Sequence, residues 1–88
     1  MIMSIRDELR RILTMISDLT LNDTSFSVKD TIIIAEANRH SEEIEKNLNE
    51  LQSMGLIKED NAKPTNVDYR IFRITKEGIH EIYNKEFR

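Results

Sequence analysis

The side chains of this 88-residue chain that have functional chemistry are mainly carboxylates, arginines and lysines. There is no cysteine, which excludes a disulfide framework and a thiolate metal site. The two histidines, His40 and His80, lie far apart and neither has a partner at metal-ligand spacing. The only glycines are Gly55 and Gly78, so no glycine-rich phosphate loop is present. The sequence therefore does not support an enzyme, and we expect no cofactor and no metal.

Charge is distributed unevenly along the chain. The net charge of −3 is not the signature of a strong nucleic-acid binder. Residues 29–55 contain three basic and six acidic residues, whereas residues 56–88 contain seven basic and six acidic residues. Any electrostatic attraction for an anionic partner is therefore expected to come mainly from the C-terminal third.

The length and the hydrophobic pattern predict one domain spanning residues 1–88. The longest wholly apolar run, Ile32–Ala35, is far too short to cross a membrane. The first residues lack a basic segment followed by an apolar run, which a signal peptide would need. We therefore expect a cytoplasmic protein without a membrane partner.

Hydrophobic periodicity and capping residues predict four helices, near residues 4–20, 28–37, 41–54 and 76–86. Strands are predicted near residues 56–59 and 69–75, and together they would form a hairpin. Gly55 is expected to end the third helix in a left-handed conformation. The residues expected to cap the four helices are Ser4, Ser27, Ser41 and Thr75.

Three segments allow alternative interpretations. Ile32, Ile33 and Ile34 also suit a buried strand, but Ser27 followed by Asp30 resembles a capping box and favours a helix. Phe26, between two serines, is compatible with a very short strand. The first helix has an apolar arc of roughly 160°, wider than the ~100° stripe of a one-sided surface helix. This helix is therefore either well buried within the chain or shared with a second subunit.

Two motifs resemble parts of the MarR, ArsR and PadR types of transcriptional regulator. The stretch from Ser41 through Ile44, Leu48 and Leu51 to Gly55-Leu-Ile resembles their recognition helix and the entry to their wing. The stretch Phe72-Arg-Ile-Thr-Lys-Glu-Gly78 resembles the exit from the wing and the start of the next helix. The resemblance covers residues 28–83. It implies an α+β winged helix-turn-helix fold, with a three-helix core, a two-stranded wing and a C-terminal helix.

The resemblance further implies a sequence-specific, DNA-binding transcriptional regulator whose partner is double-stranded DNA. The third helix would enter the major groove and the wing would contact the backbone. Strand alternation places Arg70 and Arg73 on opposite faces of the hairpin, so at most one of them would join Lys63. The candidate DNA-binding residues are Arg39, Ser41, Glu42, Lys46, Asn49, Lys63, Arg70 and Arg73.

The third helix also departs from this pattern. Glu42, Glu43 and Glu45 crowd the end that would meet phosphates, and carboxylates repel phosphates. The alternative function is therefore a winged-helix module that binds another protein in a larger assembly without binding DNA.

A homodimer through helices 4–20 and 76–86 is also expected. The first helix offers its wide apolar arc, and the last offers a stripe of Ile79, Ile82, Tyr83 and Phe87. Two-fold pairing would present two third helices to DNA half-sites one helical turn apart.

Overall fold

The structure is a computed structural model that describes residues 6–61 and 66–84. Residue 84 is described by its backbone alone. Within these ranges the chain forms four helices and a three-stranded antiparallel sheet, an α+β arrangement. The elements in chain order are α1 (Asp7–Leu19), β1 (Val28–Lys29), α2 (Asp30–Ala37), α3 (Ser41–Ser53), β2 (Ile57–Glu59), β3 (Ile71–Ile74) and α4 (Lys76–Asn84).

The sheet is centred on β3, which pairs with β1 on one side and with β2 on the other. Phe72 lies opposite Val28 of β1 and Glu59 of β2, while Ile74 lies opposite Ile57. Phe72 and Ile74 are almost completely buried, at 0 % and 1 % exposed. Because side chains alternate along a strand, this register turns one face of the sheet towards the helices.

Helix α1 lies at the centre of the helical layer, where it contacts α2, α3, α4 and β3. Its residues Leu9, Ile12, Leu13 and Ile16 are at most 2 % exposed. The wide apolar arc is therefore covered by the chain's own elements, the first of the two interpretations that the sequence allowed.

Several predictions about individual elements are confirmed. Residues 31–35 are helical, within α2. Gly55 ends the α3 segment with φ +77°, a conformation that glycine adopts without steric penalty. Thr75 caps α4, because its Oγ1 accepts a hydrogen bond from the backbone N–H of Gly78 at 3.0 Å. The hairpin is present with strands slightly shorter than predicted.

The prediction that the second helix starts at residue 28 with Ser27 as its cap is wrong. Val28 and Lys29 form β1 instead, because they pair with Phe72 and Ile71 of β3. The helix starts at Asp30, whose N–H donates to the carbonyl oxygen of Arg70 at 2.8 Å. The very short strand thus lies two residues after Phe26, and it adds a third strand to the sheet that the predicted hairpin forms.

Two other helix starts also differ from prediction. Ser41 is the first residue of α3 and not its cap, which is His40 without a side-chain capping bond. Helix α1 starts at Asp7 after Arg6, which also lacks a side-chain capping bond. The predicted cap Ser4 lies outside the described residues, as do Phe87 and the predicted end of the last helix at residue 86.

Helix α4 approaches the junction between α3 and β2 closely. A Cβ atom on Gly78 would lie 2.2 Å from the carbonyl oxygen of Leu56, so no larger residue fits without displacing backbone. Ile79 and Ile82, which were predicted to lie on a dimer face, pack against the chain's own core and are partly buried there. Tyr83 is 46 % exposed, and its hydroxyl accepts a hydrogen bond from Nδ2 of Asn22 at 2.8 Å. Across the described ranges, no helix is long and apolar enough to span a membrane.

Candidate nucleic-acid interface

Helix α3 exposes one continuous polar face. Ile44, Leu48 and Leu51 are completely buried, and this fixes how the helix is rotated about its axis. Four of the predicted DNA-binding residues are consequently exposed to solvent on this helix: Ser41, Glu42, Lys46 and Asn49. The exposed face can donate hydrogen bonds through Lys46 and Asn49 and accept them through Glu42.

Three of the four glutamates on α3 are held by arginines from other parts of the chain. The guanidinium of Arg6 donates two hydrogen bonds to the carboxylate of Glu50, at 2.8 and 2.9 Å. Glu43 lies 3.8 Å from the guanidinium of Arg39. These contacts, together with the Arg70 contact described next, partly offset the negative charge on the flanks of the helix, since Arg39 and Arg70 are each shared with a second glutamate.

Arg70 connects α3 with the wing. Its Nη1 lies 2.7 Å from Oε1 of Glu45, and its Nη2 lies 2.9 Å from Oε1 of Glu59. Nη2 also donates to Oδ1 of Asn49 at 3.2 Å, while the guanidinium lies 4.9 Å from the centre of the Phe72 ring. Arg70 was predicted as a DNA contact. The structure places it between α3 and the strands, where only 26 % of its side chain is exposed.

The pKa of the Glu45 carboxyl group is raised by some neighbours and lowered by another. Burial raises its pKa, and a hydrogen bond with Asp30 raises it further, whereas Arg70 lowers it. Asp30 is itself only 6 % exposed, and its Oδ1 accepts the backbone N–H of Arg70 at 3.2 Å. Hydrogen bonding to Glu59 is the main reason that the pKa of Arg70 is raised. The start of α2, the middle of α3 and the base of the wing are therefore electrostatically coupled.

Glu42 and Lys46 are the charged residues of α3 that make no ion pair with any described residue. Both are exposed and they differ by one helical turn, with opposite charges. These two residues therefore contribute one negative and one positive charge to the exposed face, which offset each other.

The outer face of the wing carries a second group of predicted residues. Arg73 lies opposite Lys58 in the β2–β3 register, and its Nε donates to Oδ2 of Asp60 at 2.8 Å. Arg70 contacts α3, whereas Arg73 follows the outward side of β3, as the predicted alternation requires. Lys63 lies outside the described residues. The structure thus does not bring Arg70 and Arg73 together.

Arg39 lies in the turn between α2 and α3. Asn38 adopts a left-handed conformation at φ +54°, which ends α2 and directs the chain into the turn. The guanidinium of Arg39 lies 3.8 Å from the carboxylates of both Glu8 and Glu43. Its side chain remains 34 % exposed at the edge of an open depression lined by Ile34, Ala35, Asn38, Arg39, His40 and Glu43.

Three residues of this surface are not among the site residues predicted from the sequence. Arg6 is 44 positions from Glu50, and no local pattern indicates that they pair. Asp30 was interpreted as part of a capping box, although its carboxylate accepts a hydrogen bond from the backbone N–H of Arg70, the residue just before β3. Lys58 is exposed on β2, and alternation after the buried Ile57 provides a signal for it. No group of three or more potential metal ligands lies together in the described part of the chain.

Comparison with known proteins identifies structural relatives only. No model of a known protein family matches the sequence, and no curated protein shows significant sequence similarity. A MarR variant of Escherichia coli in complex with operator DNA superimposes with a TM-score of 0.76 at 12 % identity, covering 91 % of this chain and 52 % of that one. A second structure of the same MarR variant gives a TM-score of 0.71 at 12 % identity, covering 93 % of this chain and 60 % of that one.

A zinc-responsive MarR family member of Lactococcus lactis, ZitR, gives a TM-score of 0.71 at 16 % identity. That superposition covers 97 % of this chain and 54 % of ZitR. The chain therefore spans between about half and three fifths of the length of these structures. The order of its helices and strands and these superpositions agree with the resemblance found in the sequence: the chain has the winged-helix fold of MarR-type regulators.

Proposed function

We propose that this chain is a sequence-specific DNA-binding domain of a transcriptional regulator and acts on double-stranded DNA as a homodimer. The fold supports this proposal, since a MarR structure with the same architecture holds operator DNA. A domain of this kind would work in the cytoplasm and would have no catalytic activity.

The pairing of the α3 glutamates is the observation that carries the proposal. An unpaired carboxylate facing a phosphate at ~6 Å would cost on the order of 1 kcal/mol after screening. Because Glu43, Glu45 and Glu50 each have an arginine partner, part of this cost is offset within the chain. The helix can then approach a phosphate backbone despite its acidic sequence.

The residues of this surface would have different roles. Lys46 and Asn49 would face base edges in the major groove, where lysine and asparagine side chains discriminate between bases. Ser41 and the first backbone amides of α3 would face a phosphate, which a helix N-terminus favours. Arg39 would approach the backbone beside the turn. Glu42 would accept a hydrogen bond from a cytosine amino group.

The wing would supply further phosphate contacts through Lys58, Lys63 and Arg73. Lys58 is exposed and has no ion-pair partner among the described residues, whereas Arg73 would first have to leave Asp60. Arg70 would act through α3 and not through a phosphate, because its guanidinium already contacts Glu45 and Glu59.

Binding to a random-sequence DNA duplex at low and at moderate salt tests the proposal. We expect measurable binding at low salt, with the logarithm of affinity falling linearly against the logarithm of salt concentration. Fluorescence anisotropy of a labelled duplex provides the measurement, and an acidic polymer without bases, such as polyglutamate, provides the control for nonspecific attraction.

Glu42 favours a second candidate function. It is exposed at the start of α3 without an ion-pair partner among the described residues, and the whole chain has a net charge of −3. These features suit a module that docks a basic protein surface. Absence of duplex binding at low salt would contradict the regulator and support this alternative.

A further inference from the structure

The contact between Arg70 and Asn49 determines how the Asn49 amide is oriented. Nη2 of Arg70 donates to Oδ1 of Asn49 at 3.2 Å. A guanidinium has donors and no acceptor, so only the amide oxygen can face it. The two hydrogens of Asn49 Nδ2 consequently point elsewhere, and they meet no hydrogen-bond partner in the described part of the chain.

The guanidinium keeps this position independently of Asn49. Glu45 and Glu59 hold it at 2.7 and 2.9 Å, and the Phe72 ring lies beneath it at 4.9 Å. Arginine–carboxylate contacts of this length are among the stronger hydrogen bonds in proteins. Because three groups other than Asn49 fix Arg70, its donor stays beside Oδ1 when another molecule approaches α3.

We infer that Arg70 makes Asn49 a hydrogen-bond donor towards DNA, so that Asn49 selects guanine instead of adenine. This inference rests on the proposed function. Asparagine ordinarily recognises adenine through two bonds, accepting from N6 and donating to N7. Here adenine would have to place its N6 amino group beside a guanidinium that already donates to the same oxygen. Guanine presents acceptors at both O6 and N7, and the Nδ2 group can donate to them.

Lys46 extends the same preference. It lies three positions before Asn49 on the exposed face, which corresponds to about 4.5 Å along the helix axis. This distance is close to the base-pair rise of about 3.4 Å, so the two side chains face neighbouring base pairs. Lysine also donates to guanine O6 and N7. The selected sites should therefore contain two adjacent G·C pairs.

Selection of duplexes from a randomised library tests the inference with four forms of the protein. The wild type should enrich one position for guanine, and Asn49→Ala should lose the preference at that position only. The double variant Arg70→Met, Glu59→Gln keeps the net charge and removes the donor from Oδ1. Its preference at the same position should change from guanine to adenine. Glu59→Gln alone retains Arg70 and should retain guanine.

A second measurement needs only wild-type protein and the selected duplex. Replacing the guanine at the Asn49-dependent position with 7-deazaguanine removes the N7 acceptor and should weaken binding by about tenfold. The same replacement at a position outside the selected site should have no effect. This measurement remains informative if the double variant does not fold.

The outcomes separate the inference from the proposed function. A wild type that binds duplexes but selects adenine at the Asn49-dependent position would overturn the inference alone. So would selected sites that Asn49→Ala leaves unchanged, or 7-deazaguanine without effect at that position. A wild type that enriches no duplex would overturn the proposed function and the inference together.

Discussion

Arg70 joins α3 to the wing through a single guanidinium, which contacts Glu45, Glu59 and Asn49. Its partly buried position makes these contacts more consequential than those of Arg6, whose side chain is 56 % exposed. Exposed ion pairs are typically worth at most about 1 kcal/mol. We therefore infer that Arg70 fixes the position of the exposed face of α3 relative to the strands. Arg6 only offsets the charge of Glu50 locally.

Glu45 predicts a pH dependence of stability. Burial raises its pKa in the folded state above the ordinary value of 4.5. The folded chain then binds more protons than the unfolded chain above that value, so this group destabilises the fold as the pH rises through its folded pKa. Glu45→Gln cannot lose a proton, and its stability relative to the wild type should increase from pH 4 upward. Urea denaturation across this range measures the difference, and a difference that is constant or decreases would contradict the assignment.

Glu42 is the acidic residue of α3 whose charge is not offset by a described partner. Glu42→Gln should increase the affinity for random-sequence duplex up to about fivefold at low salt, since it removes repulsion on the order of 1 kcal/mol. The effect should diminish at high salt. Asp18→Gln, an exposed change of equal charge on α1, is the matched control and should have a smaller effect. Equal effects of the two substitutions would show that α3 does not face the duplex.

At the scale of elements, the junction between α3, β2 and α4 depends on two glycines with different requirements. Gly55 needs its positive φ, whereas Gly78 needs space beside the Leu56 carbonyl. Gly55→Ala should cost about 1–2 kcal/mol of unfolding free energy because of its left-handed backbone. Gly78→Ala should cost more, about 3 kcal/mol, because helix backbone and strand entry must separate. Denaturant unfolding of both variants gives the comparison, and a Gly78→Ala variant as stable as the wild type would refute this packing.

The sequence predicted most of these elements because their signals are local. Helical periodicity places Ile44, Leu48 and Leu51 on one face, and Thr75 and Gly55 mark boundaries through their own backbone bonds. It failed at Ser27, because the backbone there pairs with a strand more than 40 residues further along the chain. A two-residue strand has no periodicity of its own.

The candidate site was predictable only in part, for a related reason. Exposure of Lys46 and Asn49 follows from the buried stripe of α3. The arginine partners of the α3 glutamates cannot be predicted from that stripe. Arg6 is 44 positions from Glu50, and Arg70 is 25 positions from Glu45. Long charged side chains pair across the tertiary structure without leaving a spacing rule in the sequence. For this reason the sequence made α3 look more acidic than its surface is.

At the scale of the whole molecule, α1 no longer requires a second subunit to cover its apolar arc. The dimer that we propose would instead use apolar surface that remains exposed near the ends of α1 and α4. Leu21 is 73 % exposed and Tyr83 is 46 % exposed, and Asn22 links this loop to Tyr83. A dimer formed through this surface would still use the two helices that the sequence predicted for it, α1 and α4.

Sedimentation equilibrium at roughly 100 μM protein, well above a dissociation constant of about 1 μM, should give twice the mass of one chain. Leu21→Lys should shift the chain towards the monomer, since it places a charge in an apolar interface. Lys76→Glu, an exposed charge change at the start of α4, is the control and should leave the dimer intact. A monomeric wild type at this concentration would contradict the homodimer.

The central claim is that α3, with its flanking acids paired to arginines, faces duplex DNA. The most direct test compares the salt dependence of duplex affinity for wild type, Lys46→Ala and Arg11→Ala. Lys46 lies on the exposed face of α3, and Arg11 is an exposed cation of α1. Since Lys46 would carry its positive charge into the major groove between the two phosphate backbones, Lys46→Ala should flatten the plot of log affinity against log salt by up to about 0.9, the change for one neutralised phosphate charge. Arg11→Ala should leave the slope unchanged. Equal slopes for Lys46→Ala and wild type, or no duplex binding by the wild type at low salt, would contradict the claim.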